Sequence, residues 1–301
     1  MSSPPDSDVL LRSIDDAIQG GGVPVHALDD RRYVEAHRAF EQASTQQSQI
    51  RRHLEAEATQ LIQSGRSPLN VLSVGCGCGM LDRSLLAHLS DHIDAFVGVD
   101  PNPTAVAHCK QILSSESTLP PTRIECARFE DFQSDRRYDF IYCSHVFYYV
   151  DDRAAAFQQM CSLLRDRGTL VIAHAPKTAM NALAQVFWSE HEQADFFDDD
   201  LHRLIEAHWP SPAASHPIAA GIPRTLFSDD TPQGTLLLEF LIQAEWAPLP
   251  SPVKDRVQSY IDRHSQSLPN GGSVLPHPAT TFTLRRTHTG EPRPSGADGT
   301  P

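Results

Sequence analysis

Three glycines and one aspartate have the residue types and the spacing that bind a ribose-containing cofactor. The segment Val71–Met80 reads Val-Leu-Ser-Val-Gly-Cys-Gly-Cys-Gly-Met. Its apolar start runs directly into Gly75, Gly77 and Gly79. Glycines at a strand-to-helix turn let the backbone approach a ligand closely, and the N–H groups of the following helix point towards that ligand. Asp100 ends a second apolar stretch. Its spacing from the glycines along the chain suits a carboxylate that holds the two ribose hydroxyls.

Strands alternate with helices along the middle of the chain, beginning at residue 71. This alternation predicts a parallel sheet with right-handed crossovers, so we expect an α/β fold with a doubly wound, Rossmann-like sheet. Ligands lie at the C-terminal ends of such strands. The predicted strands cover 71–74, 95–100, 122–126, 138–144 and 168–174, and the predicted helices cover 81–89, 103–114 and 152–164.

The segments on either side of this alternation are predicted to cap the site. We expect one domain over residues 31–286, with the cofactor core at about 69–175 and capping parts at 31–68 and 176–286. Residues 1–30 are expected to be partly disordered, and 287–301 to be a disordered tail. The patterns outside the core predict helices at Val9–Ile18, Arg31–Phe40, Ser44–Ile62 (opened by a capping box of Ser44 and Gln47), Met180–His191, Asp198–His208, Thr235–Glu245 and 252–264, and strands at 222–227 and Thr280–Arg286.

The composition is typical of a soluble globular protein, with 40% hydrophobic and 21% charged residues. The net charge of −13 repels phosphate backbones, so we expect a small-molecule substrate and no nucleic-acid partner. The sequence shows neither an apolar run of membrane-spanning length nor a signal peptide, so we expect no membrane partner. We expect the protein to be cytoplasmic and a monomer. The six cysteines fall within the predicted cofactor core, a layout that favours buried, reduced thiols. Cys76 and Cys78 lack further ligands at metal-binding spacing, so we predict no metal.

The glycine loop and Asp100 together resemble the cofactor signature of class I S-adenosylmethionine-dependent methyltransferases. The loop follows the pattern G-x-G-x-G, which differs from the G-x-G-x-x-G of dinucleotide-binding proteins. Over residues 31–286 the chain also resembles the histamine N-methyltransferase family. The stretches that carry this resemblance are Tyr33-Val-Glu with Phe40 and Ser44-Thr; Leu72-Ser-Val-Gly with Gly77 and Gly79; Asp139-Phe-Ile with Tyr148-Tyr-Val; and Gly234-Thr-Leu-Leu with Glu239-Phe-Leu.

The resemblance implies which residues bind the cofactor. Gly75 and Asp100, with the neighbouring glycines of the loop, would hold S-adenosylmethionine, and Ser144 would lie at its pocket. Asp131 stands where the histamine N-methyltransferase family contacts adenine. Phe129 is an alternative residue for covering the adenine ring.

The resemblance also implies an aromatic substrate pocket. Tyr33, Tyr149 and Phe240 match positions that line this pocket, and the alternative is that they are ordinary core aromatics. The faces of such rings stabilise a nearby sulfonium or a cationic substrate through cation–π contacts. We therefore count Tyr149 among the candidate catalytic residues.

Two substrate-pocket positions depart from the family pattern. The carboxylate that holds the family's substrate ammonium falls on Gln46, and the glutamine that orients its imidazole falls on His145. The family's asparagine near the C-terminus falls on or beside His277. A neutral amide cannot form the charge-assisted bond of a carboxylate, so we expect histamine to be a poor substrate. The Gln46→Glu variant is expected to turn over histamine better. His145, the second candidate catalytic residue, would either orient the substrate or act as a general base. The alternatives are a solvated first-turn residue at position 46 and a structural histidine at position 145.

The sequence thus predicts an S-adenosylmethionine-dependent methyltransferase that acts on a nitrogen of a small imidazole- or amine-containing molecule. A neutral ring nitrogen is already nucleophilic, whereas a hydroxyl or thiol acceptor needs a base. Two alternatives stay open. One is an O- or S-methyltransferase of specialised metabolism with His145 as the base, and the other is a non-catalytic cofactor-binding subunit.

Overall fold

A parallel sheet forms the centre of the fold. The computed structural model describes residues 7–20, 22–116, 119–187, 196–269 and 271–287. Every residue of the first strand is buried, as expected for a central strand that is covered on both faces. The parallel strands are β1 (Leu69–Val74), β2 (Ile93–Asp100), β3 (Thr122–Cys126), β4 (Tyr138–Ser144) and β5 (Leu164–His174).

Helices cover both faces of this sheet, which makes it doubly wound. Alternate residues of β1 point to opposite faces, so Leu72 joins one core cluster with Phe157 and Leu201, whereas Val71 joins another with Leu54. The first face carries α6 (Arg153–Leu163) and α8 (Asp198–His208), and the second carries α3 (Gln46–Gln63), α4 (Met80–Leu89) and α5 (Pro103–Ser114). The predicted α/β, Rossmann-like class is confirmed.

Two later strands extend the sheet beyond β5. These strands are β6 (Ala214–Ile218) and β10 (Ala279–Arg285), and β10 lies between β5 and β6, antiparallel to both. In the described residues the sheet order is therefore β3-β2-β1-β4-β5-β10-β6. A separate small sheet contains β7 (Gly221–Pro223), β8 (Gln266–Ser267) and β9 (Ser273–Pro276).

A helical layer with its own apolar cluster lies over the C-terminal ends of the parallel strands. Ile14, Leu183, Leu238 and Val257, one from each of four helices, are buried together in this cluster. None of the described helices is long and apolar enough to cross a membrane. The layer contains α1 (Ser7–Gly20), α2 (Asp30–Ala43), α7 (Ala179–Phe187), α9 (Pro232–Ile242) and α10 (Ser251–His264).

The predicted capping box at Ser44 is wrong. Ser44 is the C-cap of α2, the N-cap of α3 is Thr45, and the Ser44 N–H donates to the Phe40 carbonyl instead of to the Gln47 side chain. The Ser44 hydroxyl oxygen accepts from the backbone N–H of Gln46 at 3.1 Å. The Gln47 side chain donates to Glu41 at 2.8 Å. The sequence pattern also missed β6, because Pro217 favours a loop. An edge strand tolerates a proline, and β6 lies at the sheet edge.

Other predictions differ in detail. All six cysteines are free thiols, but Cys126 is exposed and Cys161 is half-buried, so the expectation of uniformly buried thiols is wrong for these two. The predicted strand at 222–227 is short, because β7 ends at Pro223 and a helical turn follows over Arg224–Leu226. The predicted helix at Met180–His191 is described as far as Phe187, and the rest of it lies outside the described residues.

Candidate active site

A cavity of about 540 Å³ opens beside the C-terminal ends of β1, β2 and β4. Its volume lies within the range of small-molecule sites. The sheet supplies the cofactor side, and α2, α3, α7 and α9 supply the opposite wall. The predicted site residues that line the cavity are Tyr33, Gln46, Gly75, Gly77, Asp100, Phe129, Ser144, His145, Tyr149 and Phe240.

The glycine loop is held against Asp100 by backbone hydrogen bonds. The Gly77 N–H donates to Asp100 Oδ2 at 2.9 Å, and the Asn102 N–H donates to Oδ1 at 2.9 Å. Burial raises the pKa of Asp100, although these two hydrogen bonds act in the opposite direction. Gly75 has φ 72°, and a Cβ there would lie 2.4 Å from Val146 Cγ2. A residue with a side chain at position 75 would therefore be strained and would clash.

The cofactor side of the cavity fits S-adenosylmethionine. Each Asp100 oxygen accepts one backbone N–H and keeps lone-pair capacity for a ribose hydroxyl. Ser144 Oγ is buried without a hydrogen-bond partner among the described residues, and a polar group of a ligand would satisfy it. Phe129 is buried and presents an apolar wall.

Two predicted cofactor residues lie outside the cavity lining. Gly79, with φ 77°, caps α4, and a Cβ there would lie 2.6 Å from Cys109 Sγ. Its role is therefore the close packing of α4 against α5. Asp131 is exposed, and the lining residues of its loop are Arg128, Phe129 and Glu130. The structure therefore does not bring Asp131 to the site.

Aromatic side chains from α2 and α9 form the wall opposite the glycine loop. The ring of Phe240 lies 4.3 Å from that of Phe40 and 6.0 Å from that of Tyr33, measured between centroids. The hydroxyls of Tyr33 and Tyr149 are 3.2 Å apart, and Tyr149 is 46% exposed. Phe40 also meets His277 edge to face at 4.7 Å. This wall offers ring faces to a flat or cationic ligand.

Gln46 connects three separate parts of the chain at the floor of the cavity. It is 1% exposed, and its Nε2 donates to the carbonyl oxygens of His277 at 2.9 Å and Pro278 at 3.0 Å. Its Oε1 lies 2.7 Å from His145 Nε2. Ser44 Oγ lies 2.8 Å from His277 Nδ1, which adds a second contact to the 277–278 segment. The Gln46 amide is therefore committed to protein partners and not exposed to solvent.

Three histidines in this region are kept neutral by burial. Loss of hydration lowers the pKa of His145 to about 4 and the pKa values of His174 and His277 to about 3. His145 has φ 59°, a left-handed conformation that is costly for a residue with a side chain and is often found at functional sites. Burial also raises the pKa of Tyr148 well above its usual range. These groups act as neutral hydrogen-bonding groups at physiological pH.

Glu41 and Tyr148 are among the cavity residues that the sequence analysis did not identify as site residues. Glu41 lines the cavity, and its Oε1 accepts from Gln47 Nε2 at 2.8 Å and lies 3.8 Å from His37 Nε2. Residues 33, 37 and 41 repeat at helical spacing on α2, so this face could have been extended to Glu41. Tyr148 lines the cavity and stacks on His174 at 4.2 Å between ring centroids, while its hydroxyl accepts from the Ala175 N–H.

Two curated methyltransferases are similar to part of this chain. Histamine N-methyltransferase of Cavia porcellus is 27% identical over 163 residues, which cover 48% of this chain and 55% of that protein. Malonyl-acyl-carrier-protein O-methyltransferase 1 of Ilyobacter polytropus is 24% identical over 127 residues, 42% of this chain and 45% of that protein. The matches thus span about half the length of these curated relatives.

Solved structures share the fold over most of the chain. The plantazolicin methyltransferase BamL, in complex with a triazolic desmethylPZN analog and S-adenosylhomocysteine, has a TM-score of 0.52 at 13% identity. The match covers 93% of this chain and 97% of that chain. The YcgJ protein from Bacillus subtilis has a TM-score of 0.52 at 15% identity, and the match covers 79% of this chain and 99% of that chain.

The family assignment rests on a longer match. The sequence profile of a family described as a methyltransferase domain matches residues 45–217, more than half of the chain. This range contains the glycine loop, Asp100, Ser144 and His145. The cofactor side of the cavity and the family agree on S-adenosylmethionine as the cofactor. The chain belongs to this methyltransferase family.

Proposed function

We propose that the chain transfers a methyl group from S-adenosylmethionine to a nitrogen of a small imidazole- or amine-containing molecule. The observation that carries this proposal is the place of His145, which lines the cavity directly after β4 with its Nε2 2.7 Å from Gln46 Oε1. Loss of hydration lowers the pKa of His145 to about 4. A group with this pKa is a poor acceptor for the proton of a hydroxyl or thiol near pH 7. A neutral nitrogen needs no deprotonation before it attacks.

The bound cofactor supplies an electrophilic methyl group on a sulfonium. The chain's own residues bind and orient the acceptor and exclude water from it. The ring faces of Tyr33 and Phe240 suit a flat or cationic acceptor molecule. Glu41 adds a carboxylate to the same wall, so a protonated amine elsewhere on the acceptor molecule would find a counter-charge there.

A carboxylate acceptor fits the cavity less well. Malonyl-acyl-carrier-protein O-methyltransferase is among the relatives, and an anionic oxygen would also need no base. Arg128 is the one lysine or arginine among the described residues that line the cavity. It already pairs with Glu130 at 3.0 Å and Asp151 at 2.6 Å. The charge of the cavity therefore favours a neutral or cationic acceptor over an anionic one.

Turnover of a small panel of acceptors tests this proposal. The purified protein is incubated with methyl-labelled S-adenosylmethionine and, separately, with imidazoles, primary amines, phenols, thiols and malonyl esters. We expect label in the imidazole or amine products, and less label with the Asp100→Ala variant at the same subsaturating cofactor concentration. Label only in phenol, thiol or carboxylate products would overturn the assignment to nitrogen. Absence of transfer with tight cofactor binding would favour the non-catalytic alternative.

A further inference from the structure

The orientation of the Gln46 amide is fixed by its neighbours. Its Nε2 faces the carbonyl oxygens of His277 and Pro278, which can only accept hydrogen bonds. The NH₂ group must therefore lie on that side, and both of its hydrogens are used. The remaining atom, Oε1, can only accept, and it faces His145.

This orientation determines which His145 nitrogen carries the proton. An acceptor 2.7 Å from Nε2 requires that Nε2 be the donor. In a neutral imidazole the other nitrogen, Nδ1, is then an unprotonated acceptor. The structure gives Nδ1 no partner among the described residues, and His145 lines the cavity. The lone pair of Nδ1 is therefore available to a bound molecule.

We infer that Gln46 is a positioning residue that holds His145 as its Nε2–H tautomer, so that the site selects acceptor molecules that donate an N–H to His145 Nδ1. This inference rests on the proposed function and defines its substrate class. The class comprises neutral azoles with a ring N–H and amines that keep a hydrogen on nitrogen. Azoles without a ring N–H and tertiary amines fall outside it.

The hydrogen bond would also assist the chemistry. When an azole N–H donates to His145 Nδ1, electron density rises on the second ring nitrogen, which makes that nitrogen the better nucleophile. Its lone pair forms the new N–C bond and displaces the sulfur, which keeps the electron pair of the broken S–C bond. The methylated cation then loses its N–H proton to solvent after release. His145 need not accept the proton at any stage, so its low pKa is compatible with this role.

The tautomer is tested directly by NMR of the full chain with ¹⁵N-labelled histidine, with the His145 signals assigned by comparison with His145→Asn. We expect Nε2 protonated and Nδ1 unprotonated in the natural protein at pH 7. In Gln46→Met, which has similar length but no polar amide, we expect a mixture of tautomers. Gln49→Met is the matched control, because Gln49 also donates to backbone carbonyls from α3 but does not line the cavity. A protonated Nδ1 in the natural protein, or an unchanged tautomer in folded Gln46→Met, would overturn the inference.

The substrate class is tested by binding alone, without turnover. Imidazole and 1-methylimidazole are titrated into the protein saturated with S-adenosylhomocysteine at pH 8, where both probes are neutral. We expect 1-methylimidazole to bind roughly ten-fold more weakly, because it cannot donate to Nδ1. Equal affinities would contradict the inference even if nitrogen methylation is observed. Conversely, the expected tautomer and binding preference without nitrogen methylation would contradict only the proposed function.

Discussion

The side-chain oxygen of Gln46 lies 2.7 Å from Nε2 of His145, which joins the first turn of α3 to the residue that follows β4. Both residues stand at positions where the histamine N-methyltransferase family is expected to hold its substrate, Gln46 in place of the carboxylate that binds the ammonium and His145 in place of the glutamine that orients the ring. In the structure the two side chains contact each other, and Gln46 also donates to the carbonyl oxygens of residues 277 and 278. The pair therefore fixes part of the cavity wall through contacts within the protein.

The Gln46→Glu variant is expected to lose stability and to gain no activity towards histamine. A carboxylate at this position would face the carbonyl oxygens of His277 and Pro278, and an acceptor opposite two acceptors is repulsive. The cost should be about 1–3 kcal/mol, the usual penalty for unsatisfied buried polar groups. Urea unfolding and the KM for histamine check this, with Gln46→Met as the uncharged comparison. A lower KM for histamine in Gln46→Glu, with unchanged stability, would show that the side chain at position 46 contacts the substrate amine.

The Asp100→Ala variant is expected to bind S-adenosylmethionine more weakly by about 1.5–3 kcal/mol, because a charged hydrogen-bond acceptor is lost. The same change also releases the N–H groups of Gly77 and Asn102, which would loosen the loop. Isothermal titration calorimetry measures the affinity. Asp131→Ala is the control, since Asp131 is exposed and does not line the cavity, and its affinity should match the natural protein. Equal affinities in all three proteins would remove Asp100 from the cofactor site.

The Glu41→Gln variant is expected to raise the KM for a cationic substrate roughly ten-fold and to leave kcat nearly unchanged. The carboxylate lies on the wall formed by α2, so its contact with a substrate ammonium would be present equally in the ground and transition states. Glu35→Gln is the matched control on the same helix, because Glu35 pairs with Arg31 and Arg32 outside the cavity. A fall in kcat at constant KM, or equal effects of both changes, would contradict this role for Glu41.

Burial of His174 should make the protein less stable in mild acid. Its pKa is about 3 in the folded chain, whereas an unfolded histidine titrates near 6.5. Between these values the unfolded state binds more protons, so stability falls as the pH falls below about 6.5, by about 2 kcal/mol for this one group between pH 7 and pH 5. His174→Gln keeps a donor for the Phe196 carbonyl and removes the titration. Urea unfolding at both pH values should therefore show a smaller loss in the variant than in the natural protein.

Asp82 acts with the opposite sign and does not affect this comparison. Burial raises the pKa of Asp82 to about 6, so its contribution to stability grows as the pH falls through that value. The effect is present in both proteins and cancels in the difference between them. An identical pH dependence in the natural protein and His174→Gln would contradict the burial argument.

The local parts of the fold were predictable from the sequence, because their signals lie within short stretches. The glycine loop, Asp100 and the alternation of strands and helices follow from patterns of two to four residues, and the structure contains them. Asn102, which directly precedes the predicted helix at 103–114, caps α5. The sheet class therefore needed no tertiary information.

The part of the cavity around Gln46 depends on contacts between distant parts of the chain. Gln46 and the carbonyl of His277 are separated by 231 residues, and no local pattern links them. A long-range contact also accompanies the wrong capping box. The Ser44 hydroxyl contacts His277 across 233 residues, and the Ser44 N–H donates to the Phe40 carbonyl instead of to the Gln47 side chain. Asp131 lies outside the cavity lining, because it is the last residue of a three-residue helical turn whose first two residues, Phe129 and Glu130, line the cavity.

The position of β10 between β5 and β6 has a consequence for how the chain folds during its synthesis on the ribosome. During synthesis the glycine loop and the parallel strands emerge first, and they can assemble a cofactor site while the last strand is still in the exit tunnel. Until β10 arrives, one edge of β5 has no partner in this sheet order and β6 has none at all. The 277–278 peptide that anchors Gln46 immediately precedes β10. The nascent chain should thus acquire the ability to bind cofactor before it acquires the ability to recognise an acceptor.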